Sequence, residues 1–212
     1  MNSAAWVFLA LAAIVAVGDW LAVQHGSKPL EYVCKPLTIA LLVGVAATAD
    51  VDNGALRAWF VVALVLSMLG DVFLMLQRDL FIAGLASFLL AHVAFIVGLW
   101  IDGVSYGALG VGVALAAVAV VVVGSRVLRS VLASDEPSMA GPVGAYMTVI
   151  SVMVASAVGT ENPLAIGGAA LFFCSDALIA WERFVNPRGW HRMAIIVTYH
   201  LAQAGLTLSL VG

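Results

Sequence analysis

Eight runs of about 20 mostly apolar residues, each closed off by a short polar break, dominate this chain, and about 20 such residues are what one bilayer crossing requires. The runs cover approximately 4–24, 33–50, 57–76, 80–101, 104–125, 140–159, 163–183 and 190–211. In hydrocarbon every backbone N–H and C=O must be satisfied internally, so isolated apolar segments of this length form helices. The expected fold is therefore an all-α polytopic membrane protein with eight transmembrane helices. No break is long enough to hold a soluble domain, and residues 1–212 read as one transmembrane helical domain. Composition agrees: 64% of residues are hydrophobic and 10% charged, against about 45–50% and about 25% in soluble domains. With a net charge of −3 and no basic stripe, nucleic acid is not an expected partner.

The breaks also carry direction. Of the nine lysines and arginines, the odd-numbered connections hold Lys28, Lys35, Arg78, Arg126, Arg129, Arg183, Arg188 and Arg192, whereas the other side holds only Arg57. Positive residues accumulate on the cytoplasmic side, so the odd connections face the cytoplasm and both termini lie outside. The N-terminus has no basic n-region, which reads as an uncleaved first span. Trp6, Trp59, Trp100, Trp181 and Trp190 lie near span ends, as an interfacial belt does. Cys34 and Cys174 have no metal-ligand spacing and read as small packing residues. Pro36 would open the second helix, a position that tolerates proline, with Lys35 at that helix N-terminus.

Against this apolar background the titratable residues within spans stand out. Asp71 lies before the three-residue turn Gln77-Arg78-Asp79, and His92 lies in the middle of the returning helix. Asp19, Lys35, Asp176 and His200 complete the set, and all fall between the cytoplasmic surface and the midplane. Intramembrane ionisable groups are expensive and persist where they pair, line a wet cavity or do chemistry. Their common depth points to one pocket opening toward the cytoplasm or the inner leaflet.

A weak internal echo recurs at an offset of about 106 residues, pairing Lys35-Pro36 with Gly141-Pro142 and Gly70-Asp71 with Ser175-Asp176. The Asp71–His92 hairpin is matched by Asp176 and His200. Such an echo is what a 4+4 parallel internal repeat would leave, and its pseudo-twofold axis would bring the two aspartates face to face.

Asp71 and Asp176 are the candidate catalytic pair. Two carboxyls in one low-dielectric chamber share a proton, which sets a donor beside an ionised partner. The alternative is a pair of hydrogen-bonding hubs holding helices together, which Ser67, one turn before Asp71, would also serve. His92 and His200 would orient the acids, shuttle protons or simply pack between helices; no ligand spacing supports a zinc site. Lys35 would hold a phosphate or act only as a topogenic charge. Asp19 would pair with Lys35 or form a pocket wall. His200, Gln203 and Thr207 share a polar face of the last span, and Gln203 and Tyr199 are further candidates for the head-group phosphate site or the pocket wall. Glu182 is expected at the interface beside Arg183.

Lys35-Pro36-Leu37, Gly70-Asp71, Phe81-x-x-Gly84-x-x-x-Phe88-x-x-x-His92 and Ser175-Asp176, in that order, resemble the YhhN-like lysoplasmalogenase family of eight-span membrane proteins. The resemblance runs from about Lys35 to Gln203, with Phe95 in a region where a tyrosine is expected. It implies a hydrolase acting on an ether bond, the vinyl ether of a lysoplasmalogen, with no cofactor and with Asp71 and Asp176 as the catalytic aspartates. The products would be a fatty aldehyde and a glycerophospho-ethanolamine or -choline. The implied partners are a lysophospholipid substrate and membrane lipid, in a bacterial cytoplasmic membrane; oligomeric state leaves no mark in the sequence. Two other classes fit the same residues: a proton-coupled transporter of a small or amphipathic solute, and a lipid-binding subunit without turnover.

Overall fold

Helices account for every span, as the hydrocarbon solvent demands. The computed structural model describes residues 1–76 and 80–211, so the expected polar turn at 77–79 lies outside the described residues. Among the described residues, eight helical segments are long and apolar enough to cross a membrane. They are α1 (Ser3–His25), α2 (Lys28–Thr48), α3 (Gly54–Met75), α4 (Phe81–Asp102), α5 (Tyr106–Ala119) continuing into α6 (Ser125–Leu132), α7 (Ala140–Gly159), α8 (Pro163–Phe184) and α9 (His191–Leu208).

Two boundaries differ from the sequence expectation. Helix α2 begins at Lys28, with Pro29 rather than Pro36 in its first turn. Pro36 falls inside the helix, where it supplies no N–H to the backbone ladder. Lys35 is thus about two turns into α2 and not at a helix N-terminus, so the expected helix-dipole phosphate site is absent from that position. The second difference is the break expected at 126–139. The fifth span runs through a π-helical segment, Val120–Gly124, into α6. Arg126 and Arg129 interrupt the hydropathy but not the helix, because Val127 and Val131 at (i, i+4) bury the opposite face against Met139 and Val143.

The densest packing is between sequential neighbours: α1 with α2, α3 with α4, α5 with α7, and α8 with α9. Between the halves, α4 packs on α7 and α9 packs on α2, an exchange of the kind a parallel 4+4 duplication would produce. Small residues set the closest approaches. A Cβ on Gly70 would lie 2.6 Å from the Phe88 ring, and one on Gly168 would lie 2.7 Å from the Leu206 backbone nitrogen and 2.9 Å from the Ala202 carbonyl oxygen.

Both termini reach the same end of the bundle. The Met1 amine approaches Asp50 Oδ2 at 3.8 Å, and Asn162 Nδ2 donates to the Ser209 carbonyl at 3.3 Å. Asn2, Asn53 and Asn162 cap α1, α3 and α8 at this end. Arg57 sits there too, donating to the carbonyls of Ala49 and Val51, so the exception to the charge bias closes off the end of α2. The opposite, basic end carries Lys28, Arg183 and Arg192.

Gly168→Ala should cost about 1–3 kcal/mol through overpacking against backbone that cannot step aside. Gly167→Ala, with no atom within 4 Å of its Cβ position, should stay within about 0.5 kcal/mol of the parent. Unfolding of the two variants in detergent compares them directly.

Candidate active site

Asp71 sits near the end of α3, 1% exposed, with its charge answered from two other helices. Lys35 of α2 places Nζ 3.0 Å from Asp71 Oδ1, and Tyr199 of α9 donates its hydroxyl to Asp71 Oδ2 at 2.6 Å. Lys35 also lies over the Tyr199 ring, 5.6 Å from its centroid. Lysine suits this task because a compact ammonium on a four-carbon stem can span the gap between helices while its methylenes stay apolar.

Asp176 of α8 has a different shell. Tyr146 of α7 donates its hydroxyl to Asp176 Oδ2 at 2.5 Å, and His92 Nε2 of α4 stands 3.6 Å from the same oxygen, just beyond hydrogen-bond reach. No cation pairs with it among the described residues, and Oδ1 takes no hydrogen bond there. The rings of Phe88, Phe172 and Tyr199 pack edge to face, and His92 lies against Phe172 at 4.6 Å. Through Phe172 the surroundings of the two acids join in one aromatic cluster, and Asp176 lies within electrostatic range of both Asp71 and Lys35.

Two cavities meet here. A narrow apolar groove runs between α4, α6, α7 and α8, and Asp176 and Tyr146 form its polar spot among Phe88, Met147, Ile150 and Phe173. At the basic end a wider mouth is lined by Lys35, Glu31, Glu182, Arg183 and Arg192. Leu74, Phe81 and Ile179 line both, so the two adjoin. Asp71 lines neither: Lys35 stands between it and the mouth. The arrangement suits an amphiphile with a charged head at Lys35 and a chain past Asp176.

Other sequence candidates lie apart from the aspartates. Trp20 Nε1 donates to His200 Nδ1 at 3.1 Å, which in the neutral ring puts the proton on Nε2, 3.8 Å from Asp19 Oδ2. His200 therefore belongs to an α1–α9 contact, and Asp19 faces it rather than forming an ion pair with Lys35. Ser67 is fully buried but its hydroxyl has no hydrogen-bond partner among the described residues. Gln203 is buried one turn beyond Tyr199. Among the described residues no group of three or more His, Cys, Asp or Glu side chains is arranged to hold a metal ion.

Sequence reasoning passed over Tyr146. A signal was available: the chain has four tyrosines, and only Tyr146 and Tyr199 are buried, well inside a span where a phenol needs a polar partner. Glu31 was passed over too. It accepts from Lys28 at 3.1 Å and from Arg192 at 2.9 Å, tying α2 to α9 at the mouth.

The sequence pattern described as the YhhN family matches residues 30–210. Human "Lysoplasmalogenase TMEM86B" is 33% identical over 147 residues, 69% of this chain and 61% of the human protein. The rat protein of the same name is 32% identical over 83% of this chain and 70% of its own length. A "Lysoplasmalogenase" of Mycobacterium tuberculosis is 31% identical over 81% of this chain and 66% of its own length. This chain thus spans only about two thirds of the curated relatives it matches, and no solved structure matches it.

Removing one partner of a buried ion pair strands the other charge. Lys35→Met should destabilise the protein by about 3–5 kcal/mol, and adding Asp71→Asn to it should restore most of that loss. Chemical unfolding of the two single variants and the double variant in detergent measures the coupling.

Proposed function

Because the chain belongs to the YhhN family, we propose that it is a membrane-embedded hydrolase of the vinyl-ether bond of lysoplasmalogens. The observation that carries this reading is Asp176: a carboxyl with no cation paired to it among the described residues, at the wall of an apolar groove that adjoins a charged mouth. Relatives over most of the chain bear the name lysoplasmalogenase, which supports the same chemistry. A lysolipid lies with its phosphate toward Lys35 and Arg192 and its alkenyl chain in the groove. The vinyl ether then falls beside Asp176.

Hydrolysis of R–CH=CH–O–R′ begins with proton transfer to the carbon β to oxygen, and the α carbon becomes an oxocarbenium ion. Asp176 delivers that proton, and its carboxylate then faces the cation it has made. Water adds to the α carbon and loses a proton to Asp176. The hemiacetal collapses to the aldehyde R–CH2–CHO and the alcohol HO–R′. The logic parallels acid catalysis in glycosidases, where an oxocarbenium-like state is also stabilised by a carboxylate. Tyr146 holds the Asp176 carboxyl through its hydrogen bond, with the His92 ring alongside. Asp71 acts through Lys35 and Tyr199 as a positioning residue, and its negative charge adds to the field that favours the cation. The site faces the cytoplasmic side in this reading, because the mouth lies at the basic end of the bundle.

Asp176→Asn keeps the shape of the side chain but cannot cycle a proton, and should lower aldehyde release by about 10²–10⁴-fold, the usual contribution of a general acid. Asp71→Asn should act mainly by raising KM, through a misplaced Lys35. Lipid mass spectrometry with an alkenyl lysolipid, beside its saturated-ether analogue as the inert control, reads both. Parental turnover by Asp176→Asn sinks the mechanism.

A further inference from the structure

The mouth carries both signs of charge, and its cations are already matched. Lys35 pairs with Asp71 at 3.0 Å, Arg183 with Glu136 at 3.1 Å and Arg192 with Glu31 at 2.9 Å. Glu31 also takes Lys28 at 3.1 Å. Glu182, half-buried one position before Arg183, lines the same mouth and forms no ion pair among the described residues. A mouth built for a purely anionic head would carry surplus cations. Among the described residues this one offers a balanced set of charges and one carboxylate with no cation opposite it, which suits a zwitterion whose phosphate meets Lys35 or Arg192 and whose ammonium reaches Glu182.

The kind of ammonium is also constrained. A quaternary ammonium donates no hydrogen bond and is bound by the faces of aromatic rings. Phe81 is the one aromatic side chain lining the mouth among the described residues, and the Arg183 guanidinium sits 4.0 Å from its ring centroid. A competing trimethylammonium finds that position taken. A primary ammonium has three N–H donors to offer a carboxylate. We infer that Glu182 is the head-group acceptor and that the site selects ethanolamine over choline lysolipids. The inference rests on the hydrolase reading for its substrate, and extends it to the substrate's polar end.

The test compares purified full-length protein on three alkenyl lysolipids of one chain length, with ethanolamine, choline or bare phosphate as the head. A charge-assisted hydrogen bond that choline cannot make should favour ethanolamine by about tenfold in kcat/KM over choline, with bare phosphate also below ethanolamine. Glu182→Gln should bring the ethanolamine-to-choline ratio close to one, and Glu182→Asp should retain most of it. Choline turned over as well as ethanolamine, or a ratio that Glu182→Gln leaves intact, overturns the assignment. Competitive binding of the saturated-ether ethanolamine and choline analogues separates the two readings. If no alkenyl lipid yields aldehyde, the hydrolase reading fails; a binding preference for ethanolamine that disappears in Glu182→Gln still supports the head-group site, and equal binding overturns it.

Discussion

A charge removed from water must find its opposite close by, and the Lys35–Asp71 pair is where this bundle meets that demand most severely. Separation would leave an ammonium and a carboxylate in a medium that solvates neither, so α2 and α3 are held in register at this depth. Tyr199 extends the tie to α9, and Arg192 with Glu31 repeats it nearer the surface. With Lys35 fixed in this way, the mouth acquires a positive group of defined position and Asp71 is closed off from it. Asp176 has no such cation among the described residues and is left facing the groove.

Each acid also has one neighbour from the other half of the chain. Asp71 on α3 is met by Tyr199 of α9, and Asp176 on α8 is met by His92 of α4. Each acid is therefore attended by the last helix of the half to which it does not belong. Phe88 and Phe172, themselves from α4 and α8, interlock between them. The halves cannot drift apart without exposing both acids to lipid, so the packing that completes the chamber is the same packing that holds the halves together. Acids and partners that started from one ancestral arrangement would diverge in just this way, one half keeping an ion pair and the other a neutral shell.

The eight spans were legible because hydrocarbon leaves the backbone one option, and apolar length reports it directly. Asp71, Asp176, His92 and Lys35 were legible as exceptions to that rule. The start of α2 was not, since Leu30, Tyr32 and Val33 are interleaved with Lys28, Glu31 and Lys35, and hydropathy averages such a mixture to a break. The continuation of the fifth span through Arg126 and Arg129 was hidden for the same reason: only three-dimensional packing decides that Val127 and Val131 face inward. Nor could sequence separate His92 from His200. Both are buried imidazoles at the same depth, and their neighbours come from helices remote in the chain, Trp20 for one and Tyr146 for the other.

Leu74, Phe81 and Ile179 form a collar where oil-like and water-like surroundings exchange over the width of a side chain. Under the proposed reaction, the bond that breaks straddles this collar, and its two fragments have opposite solubilities. The long-chain fragment is most stable among lipid tails, and the glycerol fragment is most stable in water. Each leaves by the route that already matches its polarity, so recombination requires both to return from different phases. Under that reaction the collar would make cleavage a one-way sorting step.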